Sequence, residues 1–541
     1  MSIQRVFAFA AIAAVLVSAP VWAQAAFDEA AAIGVLTGES TPLQKQETCR
    51  ALRQKGTVAC IPALAAMLPN PELSHMARYA LEVMPYPEAT QALRDALPKA
   101  QGPAKVGVII SIGARRDAEA VGVLTEALSD SDADVARAAA GALGRIATPD
   151  STDALLAFRA EAPEAVHPAL AEGLLAAGQY LTREGKGKDA AAIYNVMLGG
   201  EWPAYARLGA FRGLTAAEPK KAPKRLLAAL AGYDPQFRDL AAQIISETTG
   251  ATKRYVKAMP NLSPTGQIAL LRGLAGRKDP EARPAVAQAL SSEDPAVKLA
   301  AVSALGTLGN AEDVAALTML LSADDAETVA TADASLAAMT GGDIDPAIAA
   351  AYENATPALR AKLLELLANR RAEQAVPLAV AGLKDGDAAI RAASFNVLSM
   401  LGRQEQLADV MAALAATTEN SERSAAEKAL VGMAARGGEP MIDGVLGTLD
   451  GSSVENRVVL LRVLASTGNP KALDAVLASL DGADEAVRNE AAWAAIAAAT
   501  ELGKNPGTKE LAVNALNTVA TKCAGNADIA QRAQEVLGGI K

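Results

Sequence analysis

Apolar and small residues recur three and four positions apart along most of the chain, interrupted by short turns rich in Gly, Pro, Asp and Asn. Residues at that spacing share one face of an α-helix, so the pattern predicts a succession of amphipathic helices closed by caps and tight turns. One helical segment returns about every 31 residues. Its clearest copies are DPAVKLAAVSALGTLG from Asp294, DAAIRAASFNVLSMLG from Asp387 and DEAVRNEAAWAAIAAA from Asp484. Val297, Ala301, Leu305 and Leu308 fall on one face of the first copy; Ile390, Leu398 and Leu401 do so in the second. A single helix pair cannot bury such a face, so the units are expected to stack into an all-α solenoid of about 15 pairs.

Each copy opens with Asp, then places Val or Ile three residues on and Lys or Arg four residues on. Asp294, Asp387 and Asp484 have the chemistry of N-caps, accepting hydrogen bonds from the free N–H groups of a helix start. Lys298, Arg391 and Arg488 are read as capping and stacking contacts, ahead of an anion-binding ladder. The copy at Asp132 differs, with Ala136 at the basic position and Arg137 one place late. Earlier second helices are expected from Pro42, Pro71 and Pro103. Later ones are expected near Asp325, Thr356, Ser421 and Ser452.

Composition supports this architecture. Of 541 residues, 51% are hydrophobic but only 3% aromatic, so the apolar content is mostly small and aliphatic, which favours helices packed closely. The net charge of -10 argues against a general nucleic-acid binder, whose footprint is basic. Arg5, the apolar run from Val6 to Val17, Pro20 and small residues near Ala23 or Ala25 have the layout of a secretory signal peptide. No later stretch reads as a membrane span. The expected organisation is a signal peptide at 1–25, helical repeats at 26–168, an irregular and locally basic segment at 169–258, and further repeats at 259–541.

These repeats resemble HEAT repeats, whose second helix carries Asp, then Val and Arg, then an Ala-rich run ending in Leu-Gly. The resemblance implies a superhelix whose second helices line a concave surface, and a protein-binding scaffold as the usual role. A related short-repeat branch includes bilin lyase subunits. The segment from Ala169 to Leu198 departs from the pattern; Gly178, Tyr180, Gly187, Ala191 and Tyr194 look more like one tetratricopeptide hairpin.

Residues for catalysis are sparse. His75 and His167 are the two histidines, in no ligand spacing, and both read as structural. The chain has no G-x-S-x-G elbow, phosphate-binding Gly loop or C-x-x-C pair, so nucleophilic, nucleotide and thiol redox chemistry lack their usual residues. Asp130, Asp132 and Asp134 imitate the start of a calcium loop, but Val135 and Gly141 stand where that loop needs Gly and Glu. No catalytic residue, metal or cofactor is expected. Cys49 and Cys60 flank an expected turn and are a candidate disulfide, worth about 2–3 kcal/mol in an oxidising compartment; Cys523 has no partner by counting.

The region from Arg183 to Lys257 is basic, with Trp202, Tyr205, Tyr233 and Tyr255 interleaved. Lys220, Lys221, Lys224, Arg225, Lys253 and Arg254 form the candidate partner-binding patch. The leading expectation is a non-enzymatic, periplasmic or secreted scaffold that binds a protein of unspecified identity, with no nucleic acid and no membrane insertion after signal cleavage. The alternatives are a glycan- or envelope-binding protein and a lyase or chaperone-like subunit.

Overall fold

The computed structural model describes residues 27–199 and 201–540; the signal-peptide reading at 1–25 lies outside them. Within that range the chain forms 31 α-helices joined by short turns and 3-10 segments, with no strand. One of these, Asn420–Leu449, is two helices merged across a kink, where Gly438 has φ 59 and Pro440 follows. The architecture is an all-α solenoid of helix pairs, close to the number the repeat predicts. The chain divides into two compact units, one ending at Arg225 and the next beginning at Leu226. This boundary falls inside the segment expected to be irregular.

Cap chemistry starts the second helices where the repeat places it. Asp294 Oδ1 accepts from the N–H groups of Ala296 and Val297 at 2.9 and 3.1 Å, and Pro295 supplies the pre-set φ of a first helical position. Asp387 and Asp484 cap Ala388–Leu401 and Glu485–Leu502 in the same way. Three starts move: the helix expected from Pro71 begins at Ser74, Asn420–Leu449 follows Glu419, which makes no capping bond, and Ser453, not Ser452, caps Val454–Ser466. In the acidic turn, Asp132 caps Ala133–Ile146, while Asp130 accepts from the Asp132 N–H and from Lys105 at 2.6 Å. Its carboxylates close a helix start.

Consecutive second helices pack through small residues. A Cβ on Gly113 would lie 2.7 Å from the Ala142 Cα, and one on Gly306 would lie 3.0 Å from the Ser335 Cα. A side chain at Gly113 would force the facing backbone to shift, and one at Gly306 would need the neighbouring helix to give by a few tenths of an ångström. The hairpin His167–Arg183 and Gly187–Gly199 turns at Gly185, whose φ is 75. Its Tyr194 ring is buried between Gly178, where a Cβ would sit 2.5 Å from Cζ, and Gly213 of the next helix. The motif residues of this segment therefore do packing work.

Arginines join the helices from both ends. At the start of a second helix, the guanidinium turns back onto carbonyls that precede its own helix: Arg391 onto Asp385 and Gly386, Arg488 onto Gly482 and Ala483, Arg457 onto Leu449 and Asp450. At the end of a second helix, another guanidinium reaches the preceding repeat. Arg115 donates to the carbonyls of Leu81, Glu82, Met84 and Tyr86; Arg370 does so to Leu336, Ala337 and Met339; Arg436 does so to Leu398, Ser399 and Gly402. A helix leaves its last carbonyls without partners inside the helix. Here the next repeat satisfies them.

Candidate functional site

The repeat register exposes several positions of each second helix, and one of them lies at mid-helix. In each second helix from Pro235–Glu247 to Glu485–Leu502, the residue nine positions after the cap faces solvent wholly or in part. In most copies both its chain neighbours are buried. Thus Arg272 lies between buried Leu271 and Gly273, Glu365 between Leu364 and Leu366, and Trp493 between Ala492 and Ala494. This row of side chains carries Gln243, Arg272, Ser303, Ala334, Glu365, Asn396, Lys428, Arg462 and Trp493 in the C-terminal unit. In the N-terminal unit, Ile110 holds the same position and is exposed between buried Ile109 and Ser111. The core residues repeat, but the row changes identity at every step.

Parts of the row are braced. Arg462 makes a two-pronged contact with Glu490, at 2.8 Å from each carboxylate oxygen, and a longer one with Glu427 at 3.4 Å. These carboxylates raise the Arg462 pKa, and the side chain stays about half exposed, so solvent screening keeps the stabilisation small. Lys428 reaches Asn396 at 3.3 Å, and Arg272 reaches Asp239 at 2.5 Å. Trp493 is 43% exposed on its helix, and a large aromatic held in this way is the type of side chain that carries binding energy at interfaces.

The candidate basic patch is divided between the two units. Lys220, Lys221, Lys224 and Arg225 belong to the N-terminal unit, Lys253 and Arg254 to the C-terminal one. Glu218 takes up two of the first four, with Lys221 at 2.6 Å and Arg225 at 2.7 Å; Arg225 also donates to the Leu214 carbonyl. Those two cations hold Glu218 below the usual carboxylate range. Lys220 and Lys224 are exposed and unpaired among the described residues. In the C-terminal unit Lys253 lies 3.4 Å from Glu281, and Arg254 is exposed. The interleaved aromatics also separate. Trp202, under Arg159, and Tyr255 are core; Tyr205 and Tyr233 are exposed.

Cys49 and Cys60 are free and buried, so the bridge considered for them is not formed in this structure. The Cys60 thiol donates to the Thr57 carbonyl at 3.1 Å. Burial pushes Cys49 up to about 11; burial first, then the nearby Glu29, pushes Cys60 up to about 12. Cys523 is free and partly buried. His167 Nε2 lies 3.0 Å from the Ala162 carbonyl beside the start of its helix. Among the described residues no group of three or more His, Cys, Asp or Glu is placed to hold a metal ion, and no helix is long and apolar enough to cross a membrane.

Comparison with known sequences identifies HEAT repeats at residues 99–174, 255–337 and 344–431. Comparison with curated proteins gave no match. Solved structures with a similar course of chain include Kap121p, 13% identical over 93% of this chain and 68% of that one, with a TM-score of 0.41. The karyopherin Kap121p bound to the extreme C-terminus of the protein phosphatase Cdc14p is also 13% identical, over 93% and 71%, with a TM-score of 0.42. Kap95p, in a structure concerning RanGDP, is 12% identical over 95% and 87%, with a TM-score of 0.40.

Proposed function

We propose that this protein is a non-enzymatic scaffold that binds another protein along the exposed row of its second helices, outside the cytoplasm, in the periplasm or secreted. The observation that carries the reading is the row itself: a fixed structural position, braced by the repeat, at which the side chain is free to differ in every unit. Stacked repeats present extended surfaces of this kind in place of one deep pocket. The placement outside the cytoplasm rests on the charged and apolar layout of the first 25 residues.

Site-specific photo-crosslinking tests this. A crosslinking amino acid at Glu365, Lys428 or Trp493 is expected to trap a protein partner, whereas one at Val123 or Met319, exposed on first helices, is not. Crosslinks confined to the first-helix positions would remove the row as the binding surface. Recovery of polysaccharide alone would favour the envelope-binding alternative. Charge reversal at Lys220 and Lys224, which leaves every observed ion pair intact, is expected to spare stability and reports whether the basic stretch adds to binding.

A further inference from the structure

A cavity of about 520 Å³ opens in the N-terminal unit beside the hairpin His167–Arg183 and Gly187–Gly199. Its apolar wall comes from Ile146, Leu156, Leu181 and Ile193, and Val196 stands at it half exposed. This volume falls in the range of about 300–1,000 Å³ that takes small molecules.

Four charged side chains stand at this cavity. Arg116, Lys186, Asp153 and Asp189 all line it, yet none of them takes part in an ion pair among the described residues. Arg116 lies over the Tyr180 ring, 3.5 Å from its centroid, and donates one N–H to the Arg145 carbonyl. Its other donors have no protein partner. At other cavities Lys105 closes on Asp130 at 2.6 Å and Arg391 on Glu422, whereas Glu88, Asp95 and Lys99 line a further cavity with no ion pair among the described residues; this one adds a guanidinium held against an aromatic ring. Two cations and two carboxylates left unneutralised around an apolar wall are complementary to a ligand with both signs of charge and a hydrophobic middle. A guanidinium binds a carboxylate through paired hydrogen bonds, and carboxylates bind an ammonium.

We propose that this cavity binds a short free peptide of about two to four residues with a hydrophobic side chain. Its terminal carboxylate meets Arg116 and Lys186, its terminal ammonium meets Asp153 and Asp189, and its side chain packs on Ile146, Leu156 and Ile193. This site is separate from the row of second-helix residues and does not depend on it.

The test is calorimetric titration of the whole chain with the tripeptide Ala-Leu-Ala, free at both ends, N-acetylated, C-amidated or blocked at both. The free peptide is expected to bind and the doubly blocked one to bind about tenfold or more weakly. Lys186→Glu changes an exposed, unpaired side chain, so it is expected to weaken the free peptide by a similar factor with an unchanged thermal melt. Asp189→Asn is expected to lose the preference for a free over an acetylated N-terminus. Absence of binding at millimolar peptide, equal affinity for free and doubly blocked forms, or an unaltered Lys186→Glu variant overturns the proposal.

Discussion

Arg391 Nε lies 2.8 Å from the Glu422 carboxylate one repeat ahead, while its Nη1 donates to the Asp385 and Gly386 carbonyls just before its own helix. One planar guanidinium thus holds a second helix, the turn that leads into it and the following repeat in a single arrangement.

Because that arrangement uses the geometry of the fork as well as its charge, Arg391→Lys is not a neutral change. It is expected to destabilise the C-terminal unit by about 1–2 kcal/mol, and Arg391→Met by about 2–4 kcal/mol. Repeat arrays unfold in parts, so the measurement is amide exchange across Ala388–Leu401 and the helix after it, alongside the urea midpoint. Uniform protection in both variants would show that the contact adds nothing.

The same contact predicts an acid response. The hydrogen bond from Arg391, opposed in part by burial and helped by Thr417, holds Glu422 below the usual carboxylate range. A lowered folded pKa gives stability that is present above the unfolded value and lost as pH falls through the folded one. The urea midpoint of the C-terminal unit is therefore expected to fall below about pH 4.5, the ordinary glutamate value. Glu422→Gln is expected to flatten that part of the profile.

Arg115 satisfies four carbonyls of the preceding repeat, and burial lowers its pKa. Arg115→Met leaves those acceptors unpaired in a partly closed setting. A loss of about 2–4 kcal/mol is expected, read as faster amide exchange in Ser74–Leu81 with little change in the C-terminal unit. A global effect of equal size in both units would contradict so local a role.

The thiols offer a further check. In the native chain Cys523, partly buried, is expected to react first with a thiol reagent at pH 8, and Cys49 and Cys60 only after denaturant is added. Their folded pKa values lie above the ordinary 9.0, so the neutral thiols favour the fold. That contribution is complete below about pH 9 and is lost as pH rises toward 11 and 12. A Cys49–Cys60 bridge in a non-reducing digest of the purified protein would replace this free-thiol picture.

The caps were legible because an N-cap is a local device: Asp294, Asp387 and Asp484 bond to residues two and three positions away. Ser453 displaced Ser452 because neighbouring polar residues compete for the same role and spacing alone does not choose among them, while the helix after Glu419 starts with no side-chain cap. The carbonyl clamps of Arg115, Arg370 and Arg436 could not be read in advance. Their acceptors are backbone oxygens about one repeat back, and any sequence supplies those. Likewise Trp202 and Tyr255 look like Tyr205 and Tyr233 in the chain, and only packing separates core from surface. The exposed row was present in the sequence as a variable mid-helix position between repeating apolar residues, but it needed the true caps as its origin.

The contacts that fasten one repeat to the next span a narrow interval, from 23 residues for Arg94 and Asp117 to 42 for Asn456 and Leu414. A chain wired over such short separations does not wait for its far end. Each unit can dock as soon as its successor leaves the ribosome, so folding is expected to be fast for the chain's length and to proceed in order of synthesis.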